Sequence, residues 1–118
     1  MRKIIVVSIL SLFPLLVSDT RVPTISDKKE AMDRVVWERL VHAICMVESG
    51  CDDSARNPKS SASGRFQMLK IYVDEVNRIK GKRAYSYNDR LNPTKAREMF
   101  EIYQQHYNPS KDIDRAIV

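Results

Sequence analysis

The stretch Ala43-Ile44-Cys45-Met46-Val47-Glu48-Ser49-Gly50-Cys51 constrains this chain more than any other. At about 100° per residue, Trp37, Leu40, Val41, Ile44 and Val47 share one helical face. Glu48 falls four positions after Ile44 and seven after Val41, so a carboxylate continues an apolar stripe. Gly50 follows at once and is a helix stop, because it adopts the left-handed conformation that other residues avoid. The expectation is a Glu48 in the last helical turn, pointing into or beside the core. Desolvation and the negative end of a helix dipole both favour the neutral acid at such a place. A neutral carboxyl group in a cleft is what general-acid chemistry needs. The plainer alternative is a partly exposed glutamate at a frayed helix end.

Cys45 and Cys51 are the only cysteines. Six positions apart along a continuous helix they are too distant for a disulfide. A sharp turn at Gly50 brings them within reach, and the bridge then clamps the turn after Glu48. The alternative is two free thiols, with Cys45 as a small core residue. A zinc site from His42, Cys45, Cys51 and His106 matches no usual ligand spacing, so no metal is expected.

The N-terminus reads as an address. Residues 1–18 carry Arg2 and Lys3 ahead of the apolar runs Ile4–Leu10 and Leu12–Val17, a secretory signal pattern too short for a comfortable membrane span. The small-x-small cleavage pattern near Ser18 is poor, so an uncleaved membrane anchor is the alternative. Either way the chain is expected to be exported, periplasmic or extracellular, where a disulfide is permitted. The formal net charge is +5. Without Arg2 and Lys3, 18 basic side chains face 15 acidic ones, a mild excess that suits an anionic polymer.

Residues 19–26 form a polar linker, and 27–118 the folded domain. Asp27 with Glu30 three positions on has capping-box spacing, so a first helix is expected from about Lys28 to Ser49. Residues 51–65 have no periodicity and form a long loop, which in so small a domain points to function. Phe66-Gln67-Met68 begins a second helical region. Its stripe is Leu69, Tyr72, Val73, Val76 and Ile79, and Gly81 ends it. Residues 84–91 form another loop. Asn92-Pro93 starts a third helix to about His106, with the stripe Ala96, Met99, Phe100, Tyr103 and Tyr107. Asn108-Pro109 breaks it before a short piece carrying Ile113, Ala116 and Ile117. There is no convincing strand, no glycine-rich phosphate loop, no Ser-His-Asp arrangement and no basic stripe for nucleic acid.

With these pieces placed, the chain resembles the lysozyme-like lytic transglycosylases of the soluble lytic transglycosylase type. The residues that carry the resemblance are Glu48-Ser49-Gly50, the loop that follows, and Gly64-Arg65-Phe66-Gln67-Met68, where the family has Gly-x-x-Gln. The resemblance covers about Val36 to Val118. Family members continue into an Asn-Gly-Gly or Tyr-Asn-x-Gly segment, and this sequence ends before one, so the C-terminal part of the domain is expected to be missing.

The resemblance implies an all-α, lysozyme-like small helical domain behind a signal peptide. It implies that Glu48 is the catalytic residue, first acid and then base, cutting peptidoglycan between N-acetylmuramic acid and N-acetylglucosamine to leave a 1,6-anhydro end. Ser49, Gln67, Phe66 and Tyr103 are the implied substrate-binding residues. No cofactor and no nucleic-acid partner are implied. Asp52 and Asp53 are the nearest candidates for a second carboxylate, which a hydrolytic muramidase would use; the alternative for them is turn capping. A peptidoglycan-binding module without catalysis is the rival from another class.

Overall fold

The computed structural model describes residues 20–117, so residues 1–18, read above as an export signal, lie outside the described residues. Among the described residues, four α-helices and one 3-10 turn make up the regular structure: α1 (Ile25–Ser49), α2 (Lys70–Lys80), the 3-10 turn Tyr87–Leu91, α3 (Pro93–Tyr107) and α4 (Ile113–Ile117). Among the described residues the only β pairing is two isolated bridges, Arg56 with Ser63 and Ser63 with Met68. The all-helical class expected from the sequence is therefore what forms. No described helix is long and apolar enough to cross a membrane.

α1 starts earlier than its sequence suggests. Thr24, not Asp27, is the cap: its hydroxyl accepts from the Asp27 backbone N–H, and Asp27 answers as the carboxylate of the capping box. Ile25 and Ser26, read as linker, are thus helical. The buried face of α1 is Trp37, Val41 and Cys45, a strict i, i+4, i+8 row. Val47 is not part of it and stands 85% exposed.

The core gathers around α3. Met99 is fully buried, together with Val73 and Val76 of α2. Phe100 lies between Trp37, at 6.2 Å, and Phe66, stacked at 5.1 Å. A polar tie reinforces the α1–α3 contact. Trp37 Nε1 donates to Glu101, and Arg97 bridges Glu101 to Glu38. Burying an indole N–H without such a partner costs more than the bond itself gains.

Residues 66–68 are not the start of α2. Ser63 and Met68 exchange two backbone bonds of 3.1 Å, closing a turn over 64–67, and α2 begins only at Lys70, with Leu69 as its cap. Arg90 holds this region from beneath. It is 5% exposed and donates to the carbonyls of Ser61, Met68 and Tyr87. One buried guanidinium thereby ties the loop carbonyl of Ser61, the bridge carbonyl of Met68 and the 3-10 turn together. At the other end of the domain, buried Asn108 bonds Gln104 and both backbone groups of Asp112, linking α3 to α4.

Candidate active site

A cleft of about 630 Å³ opens where all four helices meet the 64–67 turn. That is within the usual size of small-molecule sites. Glu48 enters it from α1, Gln67 from the turn, Tyr72 and Glu75 from α2, and Tyr103 and Tyr107 from α3. The sequence-derived candidates Glu48, Gln67, Phe66 and Tyr103 therefore share one cavity. Glu48 also borders a smaller, mostly apolar hollow with Ile44, Val47 and Ile117.

Glu48 sits beside the core rather than in it. Its side chain is exposed, so the desolvation expected of it is not supplied by the protein alone. Helical register keeps position 48 on the face of Trp37 and Val41, but it lies in the last turn of α1, where the open cleft rather than packed side chains stands over that face. No described residue hydrogen-bonds or ion-pairs with it, which leaves the carboxyl available to a ligand.

What fixes Glu48 is the end of its helix. Gly50 takes φ +66° and Cys51 φ +57°, and the backbone N–H groups of both return to α1 carbonyls. This reversal brings Cys45 and Cys51 to a Cα separation of 4.8 Å, and the two are joined as a disulfide. Among the described residues no cluster of His, Cys, Asp and Glu suited to a metal ion is found.

Ser49 does not line the cleft. Its hydroxyl donates to the carbonyl of Arg65 at 2.8 Å and accepts from the N–H of Asp52 at 3.0 Å. Both hydrogen-bonding roles are spent on tying the end of α1 to the 64–67 turn, so Ser49 positions Glu48 against Gln67. Phe66 likewise belongs first to the core, stacked on Phe100, and only borders the cavity.

Gln67 occupies the left-handed region at φ +49°, an uncommon conformation for a residue with a side chain. Its amide N–H₂ donates to the carbonyls of Gly64 and Ala55. No described residue donates to its side-chain oxygen.

Asp52 and Asp53 have structural partners. Asp52 accepts from the backbone and hydroxyl of Ser54, which hold its carboxyl below the ordinary value. Asp53 takes both prongs of the Arg65 guanidinium, at 2.6 and 3.2 Å. The second carboxylate in the cleft is instead Glu75. Its place on the polar side of the α2 stripe gives no sign of this in the sequence pattern. Arg78 and the hydroxyl of Tyr107 bond it and lower its pKa to about 2.

Tyr72 stacks on Tyr103 at 4.5 Å, and Tyr103 meets Tyr107 at 4.8 Å. Three rings therefore form a wall along α2 and α3. The hydroxyl of Tyr72 is buried with no partner among the described residues, and burial raises its pKa.

The family model of the transglycosylase SLT domain matches residues 25–114, from the start of α1 into α4. The chain belongs to that family. It is a family of lytic transglycosylases, and the match takes in α1, the 64–67 turn, α2 and α3 and ends before Ala116 and Ile117, the two cleft residues of α4. Comparison with curated proteins and with solved structures finds no match.

Proposed function

We propose that this domain cleaves the bond between N-acetylmuramic acid and N-acetylglucosamine in peptidoglycan strands, with Glu48 as general acid and then base. The observation that carries this reading is the carboxyl of Glu48 on the wall of the shared cleft, without a partner among the described residues. A strand laid in that cleft would exclude water around Glu48 and supply the desolvation that the free protein lacks. The acid would protonate the bridging oxygen. The resulting carboxylate would take the proton from the 6-hydroxyl of the same muramic acid residue, which closes the 1,6-anhydro ring without consuming water.

This chemistry asks one carboxyl group to change roles, and in the cleft that of Glu48 has no partner among the described residues. Asp52 and Asp53 are held by Ser54 and Arg65, and Glu75 by Arg78 and Tyr107. Gln67 and Tyr103 are assigned to sugar contact, through the side-chain oxygen of Gln67 and the aromatic wall. Ser49 acts on Glu48 through the helix end. We place the activity outside the cytoplasm, since residues 1–18 read as an export signal.

The test is mass spectrometry of purified peptidoglycan after incubation with the protein, wild type and Glu48→Gln. The proposal expects anhydromuropeptides from wild type and a loss of about 10²–10⁴-fold in the variant. Reducing-end products would make the enzyme a hydrolase. No products from a folded protein that still binds the wall would make it a binding module.

A further inference from the structure

We propose that Glu75, together with Arg78 and Tyr107, is a second sugar-binding point in the cleft, taking the acetamido group of an N-acetylhexosamine ring next to the bond presented to Glu48. The inference rests on reading the cleft as a glycan site, and it deepens that reading.

Three side chains from two helices immobilise one another here. Arg78 Nε and Nη2 donate to the two oxygens of Glu75 at 2.9 and 2.5 Å, the Tyr107 hydroxyl donates to Glu75 Oε1, and Arg78 Nη2 reaches the Tyr107 oxygen at 3.3 Å. An exposed i, i+3 ion pair by itself adds little stability. This one also recruits a hydroxyl from α3, and two of its three members, Glu75 and Tyr107, border the cleft that Glu48 borders. The cost of ordering these side chains is met before any ligand arrives, which is how a preorganised site gains affinity.

The chemistry left over in the cleft is a fixed acceptor beside aromatic faces. A carboxylate offers about four acceptor positions. Oε1 already receives two donors and Oε2 only one, so Oε2 retains capacity. Arg78 does not border the cleft itself, and its part is to hold Glu75 in place. An acetamido group presents the complement of such an acceptor, an N–H donor. Glu75 stays ionised, and so acceptor-only, across the neutral and mildly acidic range. The rings of Tyr103 and Tyr107 supply an apolar face for the C–H side of the pyranose.

The experiment measures binding of chitotetraose and cellotetraose by calorimetry, in a Glu48→Gln background so that nothing is cleaved. Cellotetraose carries hydroxyls where chitotetraose carries acetamido groups. Glu75→Gln and Tyr107→Phe are expected to weaken chitotetraose binding roughly tenfold each, the effect of losing a charge-assisted hydrogen bond. The preference for chitotetraose over cellotetraose should fall, with helical circular dichroism unchanged. Should Glu75→Gln fail to fold, Tyr107→Phe decides, since it keeps the ring. Unchanged chitotetraose binding in the folded variants overturns the subsite and leaves the glycan reading standing. No binding by the parent overturns both. A wild-type protein that binds chitotetraose tenfold better than Tyr107→Phe yet releases nothing from peptidoglycan supports the subsite and removes the catalytic reading instead.

Discussion

The carbonyl oxygen of Arg90 lies 1.9 Å from the point where a Cβ on Gly64 would stand. Gly64 also has φ +79°. Both facts come from one constraint: the 64–67 turn is pressed against the 3-10 turn so that Arg90 can reach the carbonyls of Ser61 and Met68. The glycine of the Gly-x-x-Gln segment is therefore there for backbone approach as well as for a left-handed turn.

Gly64→Ala should accordingly be far costlier than alanine at the other left-handed glycines. At Gly50 and Gly81 a Cβ meets nothing within 4 Å, so only the left-handed penalty of about 1 kcal/mol applies. At Gly64 the backbone must also move, and a cost of about 3 kcal/mol is expected. That corresponds to a fall in Tm of roughly 12–24 °C for a domain of this size. Thermal melts of the three variants, read by circular dichroism, check the ranking. Equal shifts at all three positions would count against the close contact.

The disulfide should matter through the unfolded chain. Cys45 and Cys51 are six apart in sequence, a short loop, and closing it is worth about 2 kcal/mol on the chain-entropy account. A Cys45→Ala/Cys51→Ala variant is expected to lose about that much, with a Tm lower by about 10 °C. Wild type should show the same drop when reduced, and the variant should show no response to reductant. A reductant-insensitive wild type would remove the bridge from the account.

How much of this was legible beforehand depends on the residue. The apolar stripes of α2 and α3 set which faces are buried, and Val73, Val76, Ala96, Met99 and Phe100 follow them. The cap Asn92-Pro93 and the stop at Gly81 were equally legible, because local chemistry decides them. Thr24 was missed, since its capping partner Asp27 itself has cap-like spacing to Glu30. Val47 was placed too far inward, since packing covers Trp37, Val41 and Cys45 and leaves Val47 out, whereas Glu48 keeps the face its spacing assigns and lies beside the core because the last turn of α1 faces the open cleft. Residues 66–68 look helical in sequence, yet they turn because Ser63 and Met68 pair across them. Arg90 and Glu75 gave no sequence signal at all. Their roles exist only once distant carbonyls, or a tyrosine from another helix, are brought to them.

Glu75 gives the acid limb of stability a definite sign. Its folded pKa is about 2 against an ordinary 4.5, lowered by Arg78 first and Tyr107 second. A depressed carboxylate pKa stabilises the fold fully above the ordinary value and loses that contribution as pH falls from about 4.5 to about 2. Glu75→Gln lacks the contribution at every pH. The Tm gap between wild type and Glu75→Gln should thus be constant above about pH 5 and shrink toward pH 2. A gap that widens on acidification would contradict the assignment.

Ser49 is expected to affect turnover more than glycan binding. Its hydroxyl joins the carbonyl of Arg65 to the N–H of Asp52, and so sets Glu48 against the turn that carries Gln67. Ser49→Ala leaves both backbone groups without that partner, at a cost of about 1–2 kcal/mol in stability. Because Ser49 does not line the cleft, chitotetraose affinity should stay within about twofold while kcat on peptidoglycan falls at least tenfold, since a small displacement of an acid from its substrate is enough for that. Ser49→Thr keeps a hydroxyl at the same place and should recover most of the rate. Recovery in threonine without recovery in alanine separates the hydrogen bond from side-chain volume. A loss confined to affinity would instead put Ser49 in contact with the sugar.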